Sequence, residues 1–329
     1  VTAALYGHWP DYRPKSAMLH LTGEDATADR LRIARPDDTV LPWHDRQSVG
    51  PAPSGLSPAG WLEVRATALA GLGSGAAAAE RDCLTAQAQA LEAALQQDEI
   101  VLWPGPSVND QLNLVQVLAW LSGPLFLRVR LSLADFAGDS LETALDNRLP
   151  LGPPHLRLAD LAWRAFRSDN PIALETMAAV GEAHDLTGLA PAFRRLLREF
   201  PSMRNGLSRS ERLVFMALEA GARSFDALHN HIRDLEPVPL LERRSLNRLL
   251  ASMAGGARPL LRLAGDAAAP DSIATADGLA VAHFEADALA LRGVDRWIGG
   301  VHVHAPHHIW RFDNRRGRLY RLHTTAPPD

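Results

Sequence analysis

Lysine is all but missing from this 329-residue chain: Lys15 stands alone, and the other 33 of its 34 basic residues are arginines. Beyond residue 15 no lysine can form a Schiff base, complete a phosphate-binding loop or carry an acyl group. An anion site must therefore use arginine, backbone N–H groups or a helix N-terminus. Cysteine is as scarce. Cys83 has no partner for an internal disulfide and cannot build a thiolate zinc site. Its Ala-rich helical surroundings predict a buried structural thiol. Long apolar runs are lacking too. None approaches the ~18 residues of a membrane span, and no signal-peptide pattern opens the chain. The expectation is a soluble cytoplasmic protein with no membrane partner. No G-x-S-x-G elbow, H-E-x-x-H, Walker A, paired CxxC or G-x-G-x-x-G occurs.

What is present is ordinary globular material. The chain is 47% hydrophobic and 22% charged, with net charge −4, which excludes wholesale disorder and a basic nucleic-acid protein at whole-chain level. The charge is unevenly placed. Residues 1–150 carry net −7 and residues 151–329 net +3; within 194–262, 13 arginines face 7 acids.

Residues 1–17 have no periodicity and read as a loosely packed extension, with Met18 a natural start. From there strands and helices alternate. Strands are expected at 18–22, 39–43, 99–103 and 124–131, and helices at 24–34, 59–72, 77–97 and 110–121. This order favours a mostly parallel sheet covered on both faces, with ligands beyond the carboxyl ends of the strands. Past residue 135 the strand signals stop, and helices are expected at 156–167, 171–181 and 189–200. At 208–211 the sequence Ser-Arg-Ser-Glu is a capping-box signature. Helices ending at Glu219, starting after Ser224 and spanning 241–253 precede strand-like 259–263 and 273–275. Three helices and a hairpin are the order of a winged helix-turn-helix. The stretch 297–322 alternates around a turn at 314–317 and predicts a small antiparallel sheet. The division is thus a 1–17 extension, an α/β Rossmann-like domain at 18–135, a helical connector at 136–205, a winged-helix-like unit at 206–296 and a β tail at 297–329.

Three constellations could carry chemistry. The strand-end loops place Thr22, Gly23, Glu24 and Asp25, then His44, Asp45 and Arg46, then Ser107, Asn109 and Asp110 at one edge of a parallel sheet. Gly23 before a helix admits a phosphate at the helix N-terminus, and Asp25, His44, Asp45 and Asp110 suit a divalent metal or acid/base work. The plainer alternative for Asp25 and Asp110 is helix capping. The second set is His302, His304, His307 and His308, able to hold a transition metal or simply a His-rich exposed strand. The third is Arg243, Arg244, Asn247 and Arg248, fitted either to nucleic acid or to acidic neighbours in a packing module.

At this point a family comes into view. Leu19-His-Leu-Thr-Gly-Glu-Asp25, Val40-Leu-Pro-Trp-His-Asp45, Gly50-Pro51, Asp98-Glu-Ile-Val-Leu-Trp103 and Asp110-Gln-Leu112 resemble the bacterial domain-of-unknown-function family numbered 1835. Glu199-Phe-Pro201, Asn205-Gly-Leu-Ser-Arg-Ser-Glu211, Asp295-Arg-Trp-Ile-Gly-Gly-Val-His302 and Trp310-Arg-Phe-Asp313 resemble the C-terminal half of its full-length members. The resemblance spans most of residues 18–313 and implies no particular activity. One departure stands out: where the family has an acidic, His-containing loop after the strand ending in Leu-Trp, this chain has Pro104-Gly-Pro-Ser107. Of the histidines, His302 fits the family pattern.

Three functional readings follow. The first is a protein binding a small anionic, nucleotide-like ligand at the strand ends, with the winged-helix-like half as an interaction module. The second is a metal-dependent hydrolase or phosphoester enzyme using the strand-end carboxylates. The third is a DNA-binding regulator.

Overall fold

The computed structural model describes residues 18–73, 75–122, 129–135, 140–180, 185–265, 270–304 and 309–322. The expected N-terminal extension, and His307 and His308, lie outside these residues.

The alternation read from the sequence becomes β1 (Met18–Thr22), α1 (Asp25–Ala34), β2 (Thr39–Pro42), α2 (Pro58–Ala70), α3 (Ala77–Ala93), β3 (Glu99–Trp103), α4 (Val108–Trp120) and β4 (Arg130–Leu133). These four strands are mutually parallel, in the order β2-β1-β3-β4. Of the fourth strand, expected at 124–131, residues 124–128 lie outside the described residues; the described part has Arg130 opposite Glu99. The buried Glu99 carboxylate accepts from the Ser132 hydroxyl at 2.7 Å and from Arg148 Nε at 2.7 Å, tying that edge down. After α5 (Leu141–Asp146) comes β5 (Leu149–Pro150), which pairs antiparallel with β4. Two residues are too short for a periodic signal, so this strand corrects the reading that strands stop at 135.

The sheet is covered on both faces. Leu19, Leu21, Ile100 and Leu102 face α4 and α6 (Pro153–Arg167), while Met18, Val101 and Trp103 face Leu31, Leu141 and Leu145 from α1 and α5. Strands buried on both faces are what a parallel sheet requires, since its crossover helices cover it. Two further helices, α7 (Ile172–Val180) and α8 (Leu189–Leu197), add Leu174, Met177, Phe193 and Leu196 to the first of these cores.

A second core is separate. It joins α9 (Arg209–Glu219), α10 (Phe225–Leu235), α11 (Arg243–Ala254), the antiparallel pair β6 (Leu261–Ala264) and β7 (Asp271–Ala274), and α12 (Ala276–Ala282), around Leu213, Phe215, Leu228, Leu246, Leu250 and Val281. The capping box is formed as expected: Glu211 N donates to Ser208 Oγ at 3.2 Å, and Ser208 N to Glu211 Oε2 at 2.7 Å. Helix α12 and the short α13 (Ala288–Arg292) were not expected from the sequence.

The chain then makes two hairpins rather than one small sheet: β8 (Asp295–Ile298) with β9 (Val301–His304), and β10 (Ile309–Asp313) with β11 (Arg318–Leu322). Both pack on the first core through Ile298, Val301, Val303, Phe312 and Leu319. The β8–β9 turn seats against α6: Gly300 N donates to Phe166 O at 2.9 Å, and a Cβ on Gly299, whose φ is +59°, would run into that same carbonyl. Cys83 is exposed, contrary to the expectation of burial. The buried stripe of α3 runs through Leu84, Gln87 and Leu91, and Cys83 falls beside it. Among the described residues, no helix is long and apolar enough to cross a membrane.

Candidate ligand-binding site

The strand order reverses direction between β1 and β3, and a parallel sheet opens a crevice at such a point, beyond the carboxyl ends of its strands. Gly23 follows β1 and Gly105 follows β3. Asp110, in the first turn of α4, fills the space between them: its carboxylate stands where a Cβ on either glycine would go. The Glu24 carboxylate is 3.1 Å from the same Gly105 position. Asp110 also completes a capping box, with Asp110 N donating to Ser107 Oγ at 3.1 Å and the Ser107 hydroxyl donating to Asp110 Oδ2 at 2.5 Å. Burial pushes the Asp110 carboxyl up to about 6, against the Ser107 hydrogen bonds, and the carboxylates of Glu24 and Glu242 push it the same way. The capping alternative therefore holds for Asp110, and the crevice is acidic.

The remaining strand-end residues do not converge on it. Asp45 is sealed beneath the loop, where Arg65 Nη2 donates to its Oδ1 at 2.8 Å and Gln47 Nε2 to its Oδ2 at 2.5 Å. Arg65 also donates to the carbonyls of Arg46 and Val49, and both partners of the ion pair are almost fully buried. Two charges are brought out of water together because each satisfies the other, with further hydrogen bonds meeting the rest. Asp45 thus organises the loop after β2. His44 and Asp25 form an exposed pair, 3.5 Å apart, and Thr22 Oγ1 accepts from Glu24 N at 3.2 Å. Arg46 and Asn109 turn elsewhere. Arg46 Nε donates to Glu242 Oε2 at 2.5 Å and Asn109 Nδ2 to Glu242 Oε1 at 3.1 Å, while Asn109 Oδ1 accepts from Ser48 N at 3.0 Å. Glu242 is the N-cap of α11, so these strand-end residues dock the C-terminal half.

That docking leaves a solvent-open cavity of about 1110 Å³ between the two halves. One wall is the loop after β2 and the helix behind it, through Ser48, Gly50, Thr67 and Gly71. The opposite wall is α11, through Ser245, Arg248, Leu249 and Ser252, and the end closes with Arg292, Arg296 and His304. A volume of this size suits a ligand of drug or nucleotide dimensions. Its charges are unequally matched. Glu211 pairs with Arg296 at 2.8 Å, Glu199 with Arg195 at 2.6 Å and Glu63 with Arg81 at 2.7 Å, while Asp295 Oδ1 lies 2.7 Å from His302 Nε2. Arg248, by contrast, has no hydrogen-bond or ion-pair partner among the described residues. Among the described residues, Arg292 donates to the carbonyls of Ser252 and Met253 at the end of α11 and has no counter-ion. The Ser245 hydroxyl is buried with no partner. Arg248 is legible in the sequence as part of a basic helix face; Ser245 and Arg292 are not, since their nearness depends on how α11 docks.

The other arginine-helix residues divide. Arg243 pairs with Asp226 at 2.7 Å and lies over the Phe225 ring at 4.8 Å, and Arg244 and Asn247 are exposed. Of the histidine set, His302 and His304 gather with Asp295. Among the described residues this is the one group of three or more metal-ligating side chains whose ligand atoms all lie within 4.8 Å of one another. The strand-end carboxylates form no such group among the described residues. No known protein-family profile matches the chain, and no curated protein sequence is similar to it.

Proposed function

We propose that the protein binds a small anionic, nucleotide-like ligand in the cavity between the loop after β2 and α11. The observation that carries this reading is the pair of arginines, Arg248 and Arg292, which line the cavity with no ion pair to a carboxylate among the described residues, whereas the lining carboxylates Glu63, Glu199 and Glu211 are each paired with another arginine. An anion there would gain two charge-assisted contacts, and the orphaned Ser245 hydroxyl can donate a third. Guanidinium groups suit phosphate or carboxylate recognition, and in this chain arginine has to do what lysine does elsewhere.

The sheet is read as Rossmann-like, and the C-terminal half, with three helices ahead of a hairpin, as winged-helix-like. In this reading the strand-end residues do not hold the anion. They attach α11 to the sheet edge, and α11 supplies the binding groups. The acidic crevice around Asp110 would repel an anion. The motifs that resemble the domain-of-unknown-function family 1835 lie in both halves, as expected if related chains share this two-part arrangement.

A thermal-shift panel tests the proposal, using inorganic phosphate and nucleoside mono-, di- and triphosphates. A ligand that binds only the folded chain stabilises it by about 2.7 kcal/mol at a concentration 100 times Kd, a shift of several degrees. The expected result is a dose-dependent shift that Arg248→Ala removes. No shift across the panel by a folded protein would contradict the proposal. A shift that survives Arg248→Ala unchanged would place the ligand elsewhere and contradict the proposal as well.

A further inference from the structure

On the β8–β9 hairpin, we propose a transition-metal site formed by Asp295, His302 and His304, of the class that takes Zn²⁺ or Co²⁺. The register puts Asp295 opposite His304 and Trp297 opposite His302. Side chains two apart on a strand share a face, so all four stand together, while Val301 and Val303 on the other face are buried in the core. The ligand atoms are already close. His302 Nε2 is 2.7 Å from Asp295 Oδ1, and His304 Nδ1 is 3.4 Å from Asp295 Oδ2. Ligands ~2.0–2.2 Å from a tetrahedral Zn²⁺ stand ~3.4 Å apart, so small rotations suffice to admit the ion. The His302 ring is held flat against Trp297, with 4.5 Å between centroids and planes 2° apart, which limits the orientations it can lose on binding. Two imidazoles and one carboxylate favour borderline divalent ions over Mg²⁺ or Ca²⁺.

Three protein ligands leave a coordination position free, as in catalytic rather than structural zinc sites. Asp295 and His304 both line the cavity, so the free position opens towards it. The metal site stands independently of the anion reading, because its three protein ligands need no anion in the cavity.

The test is titration of the metal-stripped full chain with Co²⁺ at about pH 7.5, above the ordinary imidazole range, followed by visible absorption. Zn²⁺ competition then gives affinity. The expected result is a one-to-one Co²⁺ complex with the intense d–d bands of a four-coordinate ion. Changes in a metal's outer shell cost about 10–100-fold in affinity, so losing a ligand in His302→Ala or His304→Ala should cost at least ~100-fold. Both side chains are exposed, so the variants should keep the wild-type circular dichroism, which is checked alongside. No Co²⁺ complex with the folded wild type would overturn the proposal. So would a complex that persists unweakened in the His302→Ala/His304→Ala double variant, which would place the ion elsewhere.

Discussion

The carboxylate of Asp110 occupies the space that a side chain on Gly23 would need. Strand β1 and helix α4 meet there with no room for a methyl group. Gly23→Ala should therefore push Asp110 out of its capping geometry. Overpacking of this kind costs about 1–3 kcal/mol, read as a lower midpoint in urea unfolding. An unchanged midpoint would show that the crevice is roomier than this contact implies.

The same carboxyl predicts a pH effect. Its value is raised from 3.8 to about 6, so between those values the folded chain keeps a proton that the unfolded chain has released. Stability from this group is present below about pH 4 and lost as the pH rises to about 6; two pKa units correspond to about 3 kcal/mol. Asp38, Glu99 and Glu211 are lowered and act with the opposite sign, so the comparison must be with Asp110→Asn. The variant should gain on the wild type as pH goes from 4 to 7. A constant gap between the two would contradict the assigned environment.

Asp45 and Arg65 make the loop after β2 depend on one buried ion pair. Removing one partner strands the other charge, which costs about 3–5 kcal/mol. Asp45→Ala should lower stability by that order, and adding divalent metal to the wild type should leave this pair untouched. If Asp45→Ala were as stable as wild type, Asp45 would be free for the ligand role that its place after a strand suggested.

Duplex DNA gives a further test. Arg243 is held by Asp226 and Arg248, though exposed, is assigned to the anion, which leaves Arg244 and Asn247 as the exposed groove candidates without a partner among the described residues. Each phosphate contact steepens the salt dependence of binding by about one in log–log slope. Any binding measured by fluorescence anisotropy should be weak, with a slope unchanged by Arg248→Ala. A slope reduced by Arg248→Ala would return this helix to nucleic acid.

Much of the architecture could be read from the residues because it rests on local signals. The apolar runs at 18–22 and 99–103 became strands with those same bounds, and Ser208 with Glu211 closed the capping box their spacing promised. Asp110 was readable as a capping residue for the same reason. The candidate site was less legible because its parts are far apart in sequence. Nothing near Asp45 announced Arg65 twenty residues on. Nothing in the strand-end loop announced that Arg46 and Asn109 would meet Glu242 nearly two hundred and more than a hundred residues later. The cavity lies where that meeting brings α11 against the sheet edge. His302 and His304 were visible as a same-face pair, but their closeness to Asp295 needed the register of a hairpin whose turn is Gly299-Gly300.

The most direct test is isothermal titration of whichever panel ligand gives the largest thermal shift, into wild type and Arg248→Glu. Arg248 is on an exposed helix face, so reversing its charge should leave the fold intact. The account predicts saturable one-to-one binding to the wild type, and for Arg248→Glu a loss of at least tenfold, about 1.4 kcal/mol. Equal affinity for the two proteins, both folded, would contradict it.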